Sequence, residues 1–155
     1  MEQLNKAEKI KNINADINAD ASFNLLPVLP LKNMVALPKS IIPVIVGRDI
    51  SKKAVEHAFK GNKEIFVVAQ KSADVEIPTP EGLFEFGTRA LILQMNRLPN
   101  GTYKLLVEGL IRAKVSKVAS SEDFITVKCE DIPLQPLEDT PENQAIWRNL
   151  FNLFN

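Results

Sequence analysis

The chain of 155 residues is poor in the side chains that catalysis favours, with one cysteine and one histidine. The lone Cys129 excludes an intramolecular disulfide and a multi-thiolate metal site, and it suits a reducing compartment. Surplus charge is also missing. Nineteen basic residues offset nineteen acidic ones, which weighs against a dedicated nucleic-acid binder, since that needs excess Lys and Arg to displace counterions. No stretch approaches the ~18 apolar residues of a spanning helix, and residues 1–22 mix Glu2, Glu8, Asp16 and Asp20 with Lys6, Lys9 and Lys11 where a secretory segment would be apolar. The chain therefore reads as soluble and cytoplasmic, with no membrane partner. What remains is ordinary globular composition, 45% apolar and 25% charged. A chain of this size buries roughly 68–70% of its unfolded surface, enough for a core without covalent staples.

Residues 1–22 are polar, and Ile10, Ile13 and Ile17 make too thin a stripe to hold a helix, so this stretch reads as a mobile leader. At Phe23 the composition changes. From there to Gly47, aliphatic residues are broken by Pro27, Pro30, Pro38 and Pro43, a pattern of short strands that each proline confines to an edge or an end. Ser51 is placed to cap a helix that ends at Gly61, with Ala54, Val55, Ala58 and Phe59 as its apolar stripe. Glu64 to Lys71 is an unbroken apolar run suited to a central strand. Residues 76–87 read as a loop with a helical turn after Pro80.

The Asn100-Gly101 pair supplies the positive φ values of a tight turn, so the β-prone arms Thr88–Leu98 and Thr102–Val118 form a hairpin. Gly109 inside the second arm marks a bulge or bend. From Phe124 to Ile132 the alternation sets Ile125, Val127 and Cys129 on one face. Pro133, Pro136 and Pro141 mark a linker. Beyond it Thr140 caps a helix with Pro141 in first position, running to Asn155. That helix carries Ile146, Trp147, Leu150, Phe151, Leu153 and Phe154, more apolar surface than a terminal helix leaves in water, and it is expected to pack on something outside this chain.

A search for chemistry returns little. His57 falls off the apolar stripe of its helix and reads as exposed. There is no G-x-S-x-G elbow or S-x-x-K arrangement, and the adjacent Ser–Lys pairs (Lys39-Ser40, Ser51-Lys52, Lys71-Ser72, Ser116-Lys117) cannot face each other on regular structure. Gly82 to Gly87 has the glycine spacing of a phosphate loop, but Thr88-Arg89 stands where Lys-Ser/Thr must follow, and two phenylalanines lie inside it. Glu122-Asp123, Glu130-Asp131 and Glu138-Asp139 are sequence neighbours, which a strand points to opposite faces. Charge is nonetheless uneven: Thr88–Val118 holds six basic residues against one acid, and Ala119–Glu142 seven acids against one lysine. Either the two segments neutralise each other on neighbouring strands, or a basic face awaits an RNA or an acidic peptide.

Residues Leu26-Pro27-Val28-Leu29-Pro30-Leu31-Lys32-Asn33, Val35-Ala36-Leu37-Pro38 and Ile42-Pro43-Val44-Ile45-Val46-Gly47-Arg48 resemble the opening of the amino-terminal domain of the Lon family of ATP-dependent serine proteases. Val67-Val68-Ala69-Gln70-Lys71, Phe86-Gly87-Thr88-Arg89-Ala90 and the run from Leu98 to Ala113 extend the resemblance, in register, over about residues 25 to 132. It implies a mainly β fold with α: a PUA-like pseudo-barrel of about six strands with one tucked helix over residues 23–132, then a linker and the first helix of a truncated helical subdomain over 133–155. It also implies a non-catalytic role in recognising unfolded or damaged proteins and supporting a homohexamer, for a protease that degrades misfolded and short-lived regulatory proteins.

ATP, Mg and the Ser–Lys dyad belong to the implied full-length protein. No catalytic, cofactor or metal residue carries over to this chain. Apolar segments of substrate would gain roughly 25 cal/mol per Å² on an apolar patch, and six copies would multiply weak contacts. Leu37, Ile41 and Ile42, with Trp147, Phe151 and Phe154, are the candidate contacts. The opposing reading makes the first three core and packs the helix on absent chain. The alternative function is a stand-alone adaptor or a PUA-type RNA-binding module.

Overall fold

The computed structural model describes residues 25–120, 123–136 and 138–154, so the expected leader lies outside the described residues. Strands β1 (Leu25–Leu31), β2 (Ile41–Val46), β3 (Glu64–Ala69), β4 (Phe86–Arg97), β5 (Tyr103–Ser120) and β6 (Ile125–Asp131) form one sheet in the order β2-β5-β4-β3-β1-β6. β6 pairs back onto β5, which closes β1, β3, β4, β5 and β6 into a barrel. β5 is long enough to serve two neighbours: Tyr103–Glu108 faces β2, and Ala113–Ser120 faces β6. Register shifts leave Leu93, Leu110 and Ser116 without a cross-strand partner. Such bulges sharpen the bend of a strand and let the sheet curl to closure.

β1 and β3 pair in parallel, and their side chains alternate between two packed clusters. Leu29, Leu31, Ile65 and Val67 enter one cluster, and Val28, Phe66 and Val68 enter the other. Burial on both faces explains why these segments read as continuous apolar runs. Phe66, Ile65 and Val107 are wholly buried, and each such side chain contributes about 1.5–3 kcal/mol on leaving water.

The prolines of β1 correct the sequence expectation. β1 is interior to the sheet, yet it holds both Pro27 and Pro30. Its neighbours are staggered: β6 covers only Leu25–Pro27, and β3 only Val28–Leu31. Leu31 O accepts from Gln70 N–H on the β3 side, whereas Pro30 O accepts from Arg48 Nη2 at 2.7 Å. Pro30 therefore turns its missing N–H toward the side that β6 has vacated. Pro43 behaves as expected. It lies on edge strand β2, at a position whose backbone groups point away from β5, as fixed by the bond from Gly109 N–H to Ser40 O.

Helix α1 (Asp49–Lys60) buries Ala54, Val55 and Ala58 against β1 and β3, with Phe59 half-buried. Ser51 does not cap it. Arg48 holds that position, and Ser51 sits buried in the first turn with its Oγ unpartnered. The start moves back because Ile50 packs on the second cluster, while Asp49 places a carboxylate at the positive helix end. Gly61 ends the helix as expected, its N–H reaching Ala58 O and His57 O, but the positive φ falls on Lys63. β3 stops at Ala69, two residues short of the expected strand, and Gln70 bridges to Leu83.

The hairpin turn carries Gly101 at φ 81°, and Asn100 Oδ1 accepts from Thr102 N–H. Helix α2 (Pro141–Phe154) opens as expected, with Thr140 Oγ1 accepting from Asn143 N–H. No residue of α2 is buried, and among the described residues no hydrogen bond or ion pair joins it to the barrel.

Candidate functional site

Chemistry-bearing side chains do not converge. His57 is exposed, its ring 5.1 Å from that of Phe124. Cys129 is half-buried beside the second cluster, and burial pushes its thiol pKa up, away from reactivity. Among the described residues no group of three His, Cys, Asp or Glu could hold a metal ion, and no helix is long and apolar enough to cross a membrane. Gly82 closes a 3₁₀ turn (Pro80–Gly82) and Gly87 lies within β4, so the glycine pair frames no phosphate cradle.

Besides a space of about 100 Å³ lined by Val28, Phe66, Val68 and Val127 of the second cluster, two larger concave features stand out among the described residues. The first is a gap of about 350 Å³ between the free sides of β1 and β2, lined by Leu29–Lys32, Met34, Pro43–Val46, Arg48 and Ser51. Arg48 braces it, donating to Pro30 O, to Gln70 Oε1 and to Glu76 O. Burial lowers the pKa of that guanidinium, and nearby Glu76 opposes the shift. Lys32 Nζ lies 2.7 Å from Glu76 Oε1 and, as hydrogen-bond donor and cation, holds the Glu76 carboxyl below its usual range. These bonds pin the segment after β3 across the end of the barrel. The polar groups at this end of the gap are thus engaged in structural bonds.

The second is a groove of about 470 Å³. One wall is the loop Val35–Pro38, the floor is Val67–Ala69 of β3, and the far side is Phe84, Phe86 and Leu134. The loop is held at several points. Thr88 Oγ1 donates to Ala36 O at 2.6 Å in a buried bond, Lys39 N–H donates to Gly109 O, and Gly109 N–H to Ser40 O. Gly109 is required by this approach, because a Cβ there would stand 2.1 Å from Leu37 O. The loop backbone is therefore fixed while Val35 and Leu37 are 65% and 61% exposed. Phe84, Phe86 and Leu134 are exposed as well. On the opposite side the chain returns from β6, with Ile132 N–H donating to Arg112 O.

At the groove mouth Arg112 lies 5.7 Å, and Lys114 5.6 Å, from the centre of the Phe86 ring. The charge asymmetry of the sequence is thus only partly neutralised between strands. Arg89 pairs with Asp131 at 3.2 Å, and Lys114 reaches Glu85 at 4.0 Å. Lys117 stands opposite Lys128, and Arg112 has no carboxylate partner among the described residues.

Of the expected contacts, only Leu37 lines the groove. Ile41 is exposed at the start of β2, whereas Ile42 is half-buried against the first cluster. Trp147, Phe151 and Phe154 are exposed on α2, at spacings that place them on one helix face. The structure brings none of the α2 residues to the groove lining. Sequence reasoning missed Val35, Phe84, Phe86 and Leu134, and reached Arg112 only as one of the six basic residues of Thr88–Val118. The available signal was the pair of phenylalanines flanking Glu85 in a segment otherwise read as a loop.

A family model described as the ATP-dependent protease La (LON) substrate-binding domain matches residues 25–155. The Lon protease of Vibrio parahaemolyticus is 45% identical over 129 residues, covering 83% of this chain and 16% of that protein. That of Xanthomonas oryzae is 42% identical over 129 residues, with 83% and 15% covered. The chain therefore spans about a sixth of the length of these relatives. Among solved structures, the N-terminal domain of a Mycobacterium avium complex Lon protease superposes with a TM-score of 0.66 at 22% identity, over 84% of this chain and 65% of that one. A Xanthomonas campestris Lon N-terminal domain protein gives 0.61 at 17%, over 84% and 73%. These two likenesses bear out the fold.

Proposed function

The chain belongs to the family of Lon protease substrate-binding domains, and from that premise we propose that it recognises unfolded polypeptide through exposed apolar surface, on behalf of an ATP-dependent serine protease assembled as a cytoplasmic homohexamer. The observation that carries this reading is the loop Val35–Pro38. One buried hydrogen bond and two backbone bonds to Gly109 hold its backbone while Val35 and Leu37 face water. A loop that served only the core would turn those side chains inward. A wall fixed in advance loses little conformational entropy when an apolar segment settles on it. Exposed Ile41 and the α2 residues Trp147, Phe151 and Phe154 extend the apolar surface. Single contacts need only be weak, because several copies in one ring raise the effective concentration.

The domain's part is to hold and present. Residues 23–132 form the recognising unit, and residues 133–155 lead toward the helical part of the larger protein. ATP and Mg act in that protein. The test is a titration of the chain with a permanently unfolded protein, following Trp147 fluorescence and, separately, co-sedimentation. Saturable binding that survives dilution and salt controls is expected, and Leu37→Ser weakens it. Absence of binding by both readouts would overturn the proposal.

A further inference from the structure

The groove combines three features that together define what it accepts, given the substrate-recognition reading on which this step rests. Its walls and floor are apolar and its loop wall is fixed by Thr88 and Gly109. Its volume, about 470 Å³, suits a few side chains of an extended strand rather than a folded surface. Its mouth carries a cation that the chain leaves unmatched: Arg89 in the same basic stretch has Asp131, but Arg112 has no carboxylate partner among the described residues. The Arg112 guanidinium lies 5.7 Å from the centre of the Phe86 ring and is exposed, so its planar fork is open to a carboxylate beside an aromatic wall.

We infer that the groove bordered by Val35, Leu37, Phe84, Phe86 and Leu134 seats an extended polypeptide segment in which an aliphatic or aromatic side chain stands beside an acidic one, with the carboxylate meeting Arg112. A neutral apolar segment fills the groove but leaves the cation unmatched. A basic segment meets Arg112 and Lys114 as repulsion, so the site discriminates against it. The domain then does more than sense exposed apolar surface: it prefers apolar segments that carry acid.

The experiment uses fluorescein-labelled ten-residue peptides on a Gly-Ser background, bearing Leu and Phe beside Asp, the same with Lys for Asp, and the same with Ser for Leu and Phe. Fluorescence anisotropy is read against the full 155-residue chain. The acidic apolar peptide binds, and the lysine and serine peptides bind at least about tenfold more weakly, the scale expected for a lost charge-assisted contact or a lost apolar anchor. Arg112→Glu, checked for folding by circular dichroism, inverts the preference between Asp and Lys. Arg112→Lys retains it, and Lys60→Ala, at an exposed position on α1 outside the groove lining, leaves it unchanged.

Equal binding of the Asp and Lys peptides, or a preference that Arg112→Glu does not alter, overturns the inference. If the unfolded protein of the preceding test binds while these peptides show no dependence on Arg112, the groove assignment falls and the broader reading stands. If the acidic peptide binds through Arg112 while the unfolded protein does not, the groove stands and the broader reading falls.

Discussion

The barrel and helix α2 draw on the same kinds of side chain and dispose of them in opposite ways. In the barrel, Phe66, Leu29, Ile65 and Ile92 vanish from solvent between closed strands. On α2, Ile146, Trp147, Phe151 and Phe154 all remain in water. The difference lies in topology. β5 is long and curls far enough for β6 to pair with both it and β1, so the sheet encloses its own interior. A single helix has one apolar face and nothing of its own to cover it with. Apolar content therefore says that a segment seeks cover. Only the path of the chain says whether cover is supplied from within.

Substitutions can break this contrast or sharpen it. The largest effect is expected from Phe66→Ala, which empties the centre of the second cluster and should cost about 3–5 kcal/mol in denaturant unfolding. Gly109→Ala comes next. The new Cβ meets a backbone carbonyl at 2.1 Å, so the loop must lift from β5, with a cost near the upper end of roughly 1–3 kcal/mol. Faster amide exchange at Lys39, whose N–H bonds Gly109 O, would report that lifting directly. Phe151→Ser should be smallest, changing barrel stability in denaturant unfolding by less than about 0.5 kcal/mol. A large destabilisation there would show that α2 shares the barrel's core and would dissolve the comparison.

What could be read from the amino acids alone follows the range of the forces involved. The hairpin was legible because Asn100-Gly101 settles its own turn, and α2 because Thr140 and Pro141 set its first turn locally. β6 was legible in the alternation of Ile125 and Val127, both buried. β1 was read correctly as a strand but misjudged in position. Two prolines argue for an edge, and only the staggering of β3 and β6 along it makes an interior place tolerable. Ser51 looked like a cap until Ile50 found a core to enter. The groove was hidden for the same reason. Its lining comes from the loop before β2, from β3, from the approach to β4, from β5 and from the segment after β6, and no local pattern announces that these meet. The family resemblance supplied the architecture but not this surface.

The two prolines on the facing free sides of β1 and β2, with Arg48 clamped onto Pro30 O, carry a last consequence. A sheet left open on both sides of a cleft ordinarily recruits any stray extended chain as an extra strand. With Pro30 and Pro43 at the outward positions there is no amide proton to offer at either place, and the guanidinium already fills the acceptor. At these two positions an extended chain lying along the cleft would find no amide proton to pair with, so the backbone is a weaker template for a further strand while the side chains stay accessible.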